Sequence, residues 1–238
     1  MKIGFDMEVG QERIRVEGTV PEAPVPARRM LPFFHGIADS LVEVAVREAA
    51  RDGNTVTCRA GCGACCRQLV PVTRTDARAL RTLVDELPEP RRAEIRARFE
   101  RALSHLETAG LLDAAVHVDS LPPDDRQALA RRYLAQGIAC PFLEDESCSI
   151  HAQRPVVCRE YLVTSPAEHC VTGAPEHVRN VPLATHLSAG MTRLESGEGG
   201  GNVMPLVAAL RWAEDNEAEP EPQPAVEWIN TVFRALAG

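Results

Sequence analysis

Lysine and aromatic residues are both scarce in this chain. Lys2 is its one lysine, aromatic residues make up 4% of the 238 positions, and the formal net charge is −8. Proteins that bind nucleic acid usually carry clustered basic residues, and many present aromatic rings on which bases stack. The composition therefore argues against a nucleic-acid partner.

Long apolar runs are missing as well. The segment Val203–Leu210 is among the most apolar, and it falls far short of the ~18 residues of a membrane span. The N-terminal residues Met1–Val9 include neither a basic segment nor an apolar run of the kind that directs secretion. We expect no membrane association and a cytoplasmic location.

The order of apolar residues predicts a hairpin followed by helices. Alternation from Ile3 to Val20 around Gly10 predicts an antiparallel β-ribbon. The pattern Thr73-x-x-Asp76 is typical of a helix start, because each residue can bind the backbone of the other. Helical spacing predicts helices near residues 37–53, 77–87, 95–106, 123–136, 203–212 and 226–236, and a weak strand is predicted at 179–183.

The predicted fold class is mainly α with a small N-terminal β-ribbon, an α+β chain whose irregular cysteine-rich loops surround a metal centre. We expect the ribbon and a connector in residues 1–26 and a cysteine-cluster metal-binding domain in residues 27–190. Residues 191–238 are predicted to form a mobile glycine-rich loop, from Glu195 to Asn202, and C-terminal helices that pack on the same domain. The loop glycines lack the spacing of phosphate-binding motifs.

The eight cysteines fall into two groups separated by about 70 residues. The first cysteine group is Cys58, Cys62, Cys65 and Cys66, and the second cysteine group is Cys140, Cys148, Cys158 and Cys170. Disulfides are one explanation, but they belong mainly to small secreted chains, and adjacent Cys65 and Cys66 make a poor pair. Thiolates are soft ligands that select zinc, copper(I) and iron–sulfur clusters, so metal binding is the favoured prediction.

Two kinds of metal centre fit this number of thiols. Eight cysteines suffice for two tetrahedral zinc sites, or for one four-cysteine iron–sulfur cluster with spare thiols. Gly61 and Gly63 favour a tight turn in the first cysteine group, whereas Cys65 and Cys66 are not expected both to point inward. The spacing Cys58-x3-Cys62-x2-Cys65 also matches the triad of radical S-adenosylmethionine enzymes, but the helices that follow do not suit the β–α barrel of those enzymes.

The motif C-x3-C-G-x-C-C, followed by C-P-F-L-x4-C-x-I-H-x2-R-P-x2-C-R-x-Y, resembles the CxxCxxCC family of zinc- or iron-chelating domains, also called the YkgJ family. The resemblance extends from about Cys58 to Cys170. It implies metal binding by seven cysteines, all except Cys170. Two features depart from the family pattern: the first gap has three residues, and His151 replaces a common aromatic residue. Flagellin lysine N-methylases are similar in this region. This resemblance adds an S-adenosylmethionine-dependent activity to the functions that we consider.

Other residues near the motif have both functional and structural interpretations. Arg154 and Arg159 are candidate cofactor-binding residues that would hold a substrate carboxylate or donate to cluster sulfurs, or else form internal salt bridges. His151 and His169 are candidate nitrogen ligands or packing residues. Cys170, at the motif's edge, is either an eighth metal ligand or a buried free thiol.

These observations predict a cytosolic cysteine-cluster metalloprotein. The favoured centre is a 4Fe–4S cluster that serves redox or S-adenosylmethionine-linked methyl-transfer chemistry. The alternatives are a structural zinc-binding interaction module and an iron- or zinc-chelating protein without catalysis, so enzymatic and non-enzymatic functions both stay open. The metal is the one partner that the sequence indicates.

Overall fold

The computed structural model describes residues 1–172, 175–196 and 202–237. Within these ranges about 53% of the chain is helical, with a few short antiparallel strands, and this confirms the predicted fold class. Of the predicted mobile loop, residues 197–201 lie outside the described residues. Among the described helices, none combines the length and the apolar character needed to cross a membrane.

The helices of the described residues are named in chain order. They are α1 (Leu31–Arg51), α2 (Arg74–Asp85), α3 (Arg91–Thr108), α4 (Leu112–Val116), α5 (Pro123–Leu134), α6 (Val156–Glu160), α7 (His169–Thr172), α8 (Leu187–Met191), α9 (Ala209–Asp215) and α10 (Ala225–Ala237). The strands form three two-stranded antiparallel sheets: β1 (Lys2–Val9) with β2 (Glu12–Thr19), β3 (Pro71–Thr73) with β6 (Val203–Pro205), and β4 (Leu143–Glu144) with β5 (Ser147–Cys148).

The predicted β-ribbon is present, and Gly10 adopts the positive φ of +58° that the tight turn requires. Its apolar face packs against a core built from α1, α8 and α10. Phe5 of β1 meets Phe233 of α10 edge to face, with ring centroids 5.4 Å apart. Trp228 of α10 is fully buried and donates from Nε1 to the carbonyl of Val25 at 2.8 Å. The two ends of the chain therefore share one core.

A second core joins α2, α3 and α9 to the second cysteine group. The predicted capping box is confirmed: Thr73 and Asp76 exchange the two hydrogen bonds that start α2. Phe142, between Cys140 and Cys148, is 1% exposed and stacks edge to face on Phe99 of α3. Burial of this one ring anchors the loop that carries both cysteines.

Two local predictions were wrong. The stretch predicted as a helix at 203–212 begins as strand β6, because it pairs with β3, which is distant in the sequence. Residues 179–183 form no strand within the described residues, only a single bridge between Val163 and Asn180. Helix α10 forms where it was predicted: Trp228, Ile229 and Val232 are buried in its packed face, whereas Val226 is exposed.

Candidate metal centre

The first cysteine group occupies two successive turns after α1. The amide of Cys62 donates to the carbonyl of Arg59, and the amide of Cys66 donates to the carbonyl of Gly63, both at 3.0 Å. Gly61 has φ of +82°, a conformation that disfavours residues with a β-carbon. Cys65 and Cys66 then lie on a short 3-10 helix at Ala64–Arg67. The predicted tight turn is therefore centred on Gly61.

The second cysteine group is spread over four short elements. Cys140 follows α5, Cys148 ends the β4–β5 hairpin, Cys158 lies in α6 and Cys170 lies in α7. The hairpin turns through Asp145 and Glu146, which both have positive φ (46° and 57°). Side chains other than glycine rarely adopt this conformation, so packing must hold the turn in place.

That packing comes from the first cysteine group. A β-carbon at Gly63 would meet Leu143 Cδ1 at 2.4 Å, so the backbone there approaches the hairpin as closely as only glycine allows. Arg67 pairs with Glu146 through both guanidinium nitrogens, at 2.5 and 2.9 Å. Glycine is thus needed at position 63 because the backbone there lies close to the hairpin. Its φ of −103° is not the reason, since any residue can adopt that angle.

Three hydrogen bonds join the two segments that carry the cysteine groups. The amide of Cys140 donates to the carbonyl of Cys66 at 2.7 Å. The amide of Val163 donates to Cys58 Sγ at 3.4 Å. Gln68 Nε2 donates to the carbonyl of Cys170 at 3.1 Å. These bonds, one between backbone groups and two that involve a side chain, therefore bring segments that are far apart in sequence to one place.

Burial disfavours the ionised form of several of these thiols. It raises the pKa of Cys140 to about 12 and that of Cys170 to about 11, and it raises the pKa of Cys158 well above the usual value. The pKa of Cys65 is raised first by a hydrogen bond with the Cys66 thiol and then by burial. Ionising several of these groups together is unfavourable unless a positive charge compensates.

Cys65 is the common neighbour of both groups. Beyond the burial of each thiol, repulsion from an ionised Cys65 contributes to a raised pKa at five other cysteines: Cys58, Cys140, Cys148, Cys158 and Cys170. Such repulsion is appreciable only over short distances in a protein. The charge of an ionised Cys65 thus affects members of both groups.

The two candidate arginines have different surroundings. Arg159 is buried and donates from Nη1 to both carboxylate oxygens of Asp39, at 2.8 and 2.9 Å, and from its other nitrogens to the carbonyls of Arg154 and Ala152. Arg159 therefore forms an internal salt bridge, which was the alternative to cofactor binding that the sequence left open. The Arg154 guanidinium forms no ion pair with a described residue, and its buried Nε has no hydrogen-bond partner there.

Arg154 lies close to the thiols. Burial dominates the raised pKa of Cys58 and Cys148, and the positive charge of Arg154 opposes it at both residues. The same charge is the main reason that the pKa of His151 is lowered. His151 is exposed beside it, and His169 contacts the carbonyl of His177 through Nδ1 at 2.9 Å. A guanidinium among thiols is positioned to stabilise their ionised forms.

Free thiols suit a metal here, although their side chains are not arranged as a finished site. All eight cysteines, each in a described part of the chain, are unpaired, and Cys170 is the one fully buried. Across the described ranges, no three His, Cys, Asp or Glu side chains are arranged as ligands of one ion. Metal binding therefore requires rotation of thiol side chains within a backbone that already brings the two groups together.

Sequence reasoning missed the residues that hold this arrangement. Gln68 Nε2 donates to the hydroxyl oxygen of Tyr161 at 3.1 Å as well as to the Cys170 carbonyl, and it directly follows the first cysteine group. Its position two residues after Cys66 was the available signal.

Comparison with known proteins agrees with this picture. A family model, CxxCxxCC, described as a zinc- or iron-chelating domain, matches residues 57–177, which is half of the chain and includes all eight cysteines. No curated protein and no solved structure matches the chain significantly. The extent of the family match, together with the convergence of the two cysteine groups, shows that the chain belongs to the CxxCxxCC family of metal-chelating cysteine-cluster domains.

Proposed function

We propose that the protein holds one iron–sulfur centre, of the 4Fe–4S type, with ligands from both cysteine groups. The observation that carries the proposal is the direct contact between the two groups, in which the Cys66 carbonyl accepts a hydrogen bond from the Cys140 amide at 2.7 Å. Thiolates are the ordinary ligands of such clusters. The chain has eight thiols, whereas one such cluster needs four. Experiment must therefore identify which cysteines are ligands and which are spare.

The chain's own residues prepare this site in two ways. Burial disfavours the ionised forms of Cys140, Cys158 and Cys170 until a metal compensates their charge, and the backbone bond between Cys66 and Cys140 holds the two groups together. Arg154 supplies a positive charge and an unused Nε–H beside the thiols. We assign Arg154 the role of hydrogen-bond donor to a ligand sulfur, and Arg159 the role of holding the Arg154 backbone in place through its Nε bond to the Arg154 carbonyl.

Zinc is the second candidate, and one observation favours it. The first cysteine group alone contains four thiols, Cys58, Cys62, Cys65 and Cys66, enough for one tetrahedral structural site. In that case the protein is a zinc-stabilised interaction module, or a chelating protein that hands on its metal, and no catalysis follows. A reducing compartment such as the cytoplasm, where thiols stay free, suits either metal.

Metal content and ligand substitution test the proposal together. The protein is purified without oxygen, and its visible spectrum, iron, acid-labile sulfide and zinc are measured on one sample. We expect a brown protein with about four irons and matching sulfide. A colourless protein with about one or two zincs contradicts the iron–sulfur proposal and supports the zinc module.

Two substitutions then locate the ligands. Cys62→Ser and Cys148→Ser, one in each group, should each lower bound metal severalfold if both groups serve one centre, because serine is a poor ligand for soft metals. Cys170→Ser is the matched control at the buried edge of the motif. Retention of all the metal by both of the first two variants would exclude a centre shared between the groups.

The redox and S-adenosylmethionine-linked activities depend on the cluster and are tested after it. A reduced sample with an intact visible spectrum is mixed with S-adenosylmethionine, and cleavage or methyl transfer is followed by chromatography. Absence of both reactions, and of binding, restricts the proposal to a redox role.

A further inference from the structure

A pocket of about 170 Å³ opens beside Cys170 and Tyr161. We call it the Tyr161 pocket. One wall is the face of α5 that carries Ala130 and Leu134, and Leu69 and Val178 add apolar surface on the other sides. An apolar cavity of about 150 Å³ admits a molecule the size of benzene, so this pocket has room for a small ring or a short aliphatic chain.

The rim of the Tyr161 pocket carries polar groups that the fold does not use. The side chains of Gln127, Arg131 and Asn180 all line it, and none of the three has a hydrogen bond or an ion pair with a described residue. Gln68, by contrast, is fully engaged by Tyr161 and Cys170. Two amides and one guanidinium are thus available to a ligand.

The charge of the rim selects the ligand. Arg131 carries the one formal charge among the described lining residues, and none of them is acidic. A guanidinium presents two parallel N–H groups that match a carboxylate, and amides complete its hydrogen bonds. From the size, the apolar walls and this charge, we infer that the Tyr161 pocket binds a small monocarboxylate with a compact apolar body.

This inference goes beyond metal binding and does not require it. The ligand would contact Tyr161 and the wall at Cys170, so it would lie next to the metal centre without being held by it. Carboxylate binding and metal content are separate measurements, and either can fail alone.

Benzoate and benzylamine are a matched pair of probes, since they have the same ring and opposite charges. Each is titrated into the full-length protein by isothermal calorimetry, at fixed metal content and moderate salt. We expect saturable 1:1 binding of benzoate and none of benzylamine. Arg131→Gln should weaken benzoate binding about tenfold, the usual effect of losing one charge-assisted pair. Arg132→Gln, the next residue of the same exposed helix, is the control and should bind as the unchanged protein does.

A second variant separates the cavity from the charge. Ala130→Phe places a ring in the Tyr161 pocket from an exposed helix position and leaves Arg131 in place. It should abolish benzoate binding, with a circular dichroism spectrum that shows the helices intact. The inference is overturned if benzoate does not saturate, if benzylamine binds equally well, or if the Arg131 and Arg132 variants behave alike.

Discussion

Gly63 lies so close to Glu146 that a β-carbon at Gly63 would stand 2.6 Å from the Glu146 carbonyl oxygen. The first residue belongs to the first cysteine group and the second to the hairpin that ends at Cys148. No real β-carbon tolerates such a distance from a backbone atom, so glycine at this position is a condition for contact between the groups.

Gly63→Ala should therefore push the hairpin away from the first cysteine group. Overpacking of this kind costs about 1–3 kcal/mol of unfolding free energy, and bound metal should fall with it. Urea denaturation and metal analysis measure the two effects. Gly36→Ala is the matched control: Gly36 lies within α1 with nothing within 4 Å of its β-carbon position, so alanine should raise stability by up to about 1 kcal/mol.

Sequence patterns predicted well the elements that depend on residues close together in the chain. The β-ribbon depends on alternation and on Gly10, and the start of α2 depends on a pair of residues three positions apart. The β3–β6 pair could not be predicted in this way. Each strand has three residues, and Pro71 faces Pro205 across the sheet, so the pairing depends on contacts from the whole fold.

The same distinction between local and long-range features applies to the candidate site. The number and chemistry of the eight thiols predicted metal binding, and the family resemblance indicated a zinc- or iron-chelating domain. Arg154 and Arg159 are five positions apart and could not be told apart by pattern. Asp39, 120 positions from Arg159, decides between them, because it engages Arg159, whereas Arg154 has no ion pair with a described residue.

The capping box at the start of α2 should contribute measurably to stability. Thr73 Oγ1 accepts from the Asp76 amide at 3.1 Å, and the Asp76 carboxylate accepts from the Thr73 amide at 3.0 Å. Thr73→Val keeps the shape and removes the hydroxyl, so it should cost about 1–2 kcal/mol in urea denaturation. Thr73→Ser retains the cap and should lose clearly less; equal losses from the two variants would assign the effect to packing.

A buried ion pair between α2 and Glu195 should matter more than any exposed pair. Arg78 and Glu195 are both under 9% exposed and meet at 2.8 Å, while Arg78 also donates to the carbonyls of Asn216 and Ala218. Glu195→Gln leaves a buried guanidinium without its counter-charge, and we expect a loss of about 3 kcal/mol.

An exposed pair nearby provides the control for that prediction. Glu217 pairs with Arg81 at 3.1 Å but is 75% exposed, so Glu217→Gln should change stability by less than about 1 kcal/mol. Urea denaturation of both variants at one pH gives the comparison. Similar losses in the two variants would show that burial does not set the strength of the Arg78–Glu195 pair.

Because His35 is buried, we expect the folded protein to lose stability in mild acid. Burial, with a smaller contribution from the positive charge of Arg159, lowers the pKa of His35 to about 4, and Asp39 opposes this only weakly. Between pH 6.5 and pH 4 the unfolded chain takes up a proton that the folded chain does not, so the folded state loses stability as pH falls through this window. From pH 7 to pH 5 the loss from this residue is about 2 kcal/mol.

The His35→Gln variant removes the titrating ring, so its stability should fall by about 2 kcal/mol less than that of the unchanged protein over the same interval. Urea denaturation at pH 7 and pH 5 measures the difference, and equal metal content in the two proteins keeps other pH effects common to both. His105→Gln, on the exposed face of α3, is the matched substitution and should retain the original pH slope. Equal slopes for His35→Gln and the unchanged protein would mean that His35 is protonated in the folded state as readily as in the unfolded chain.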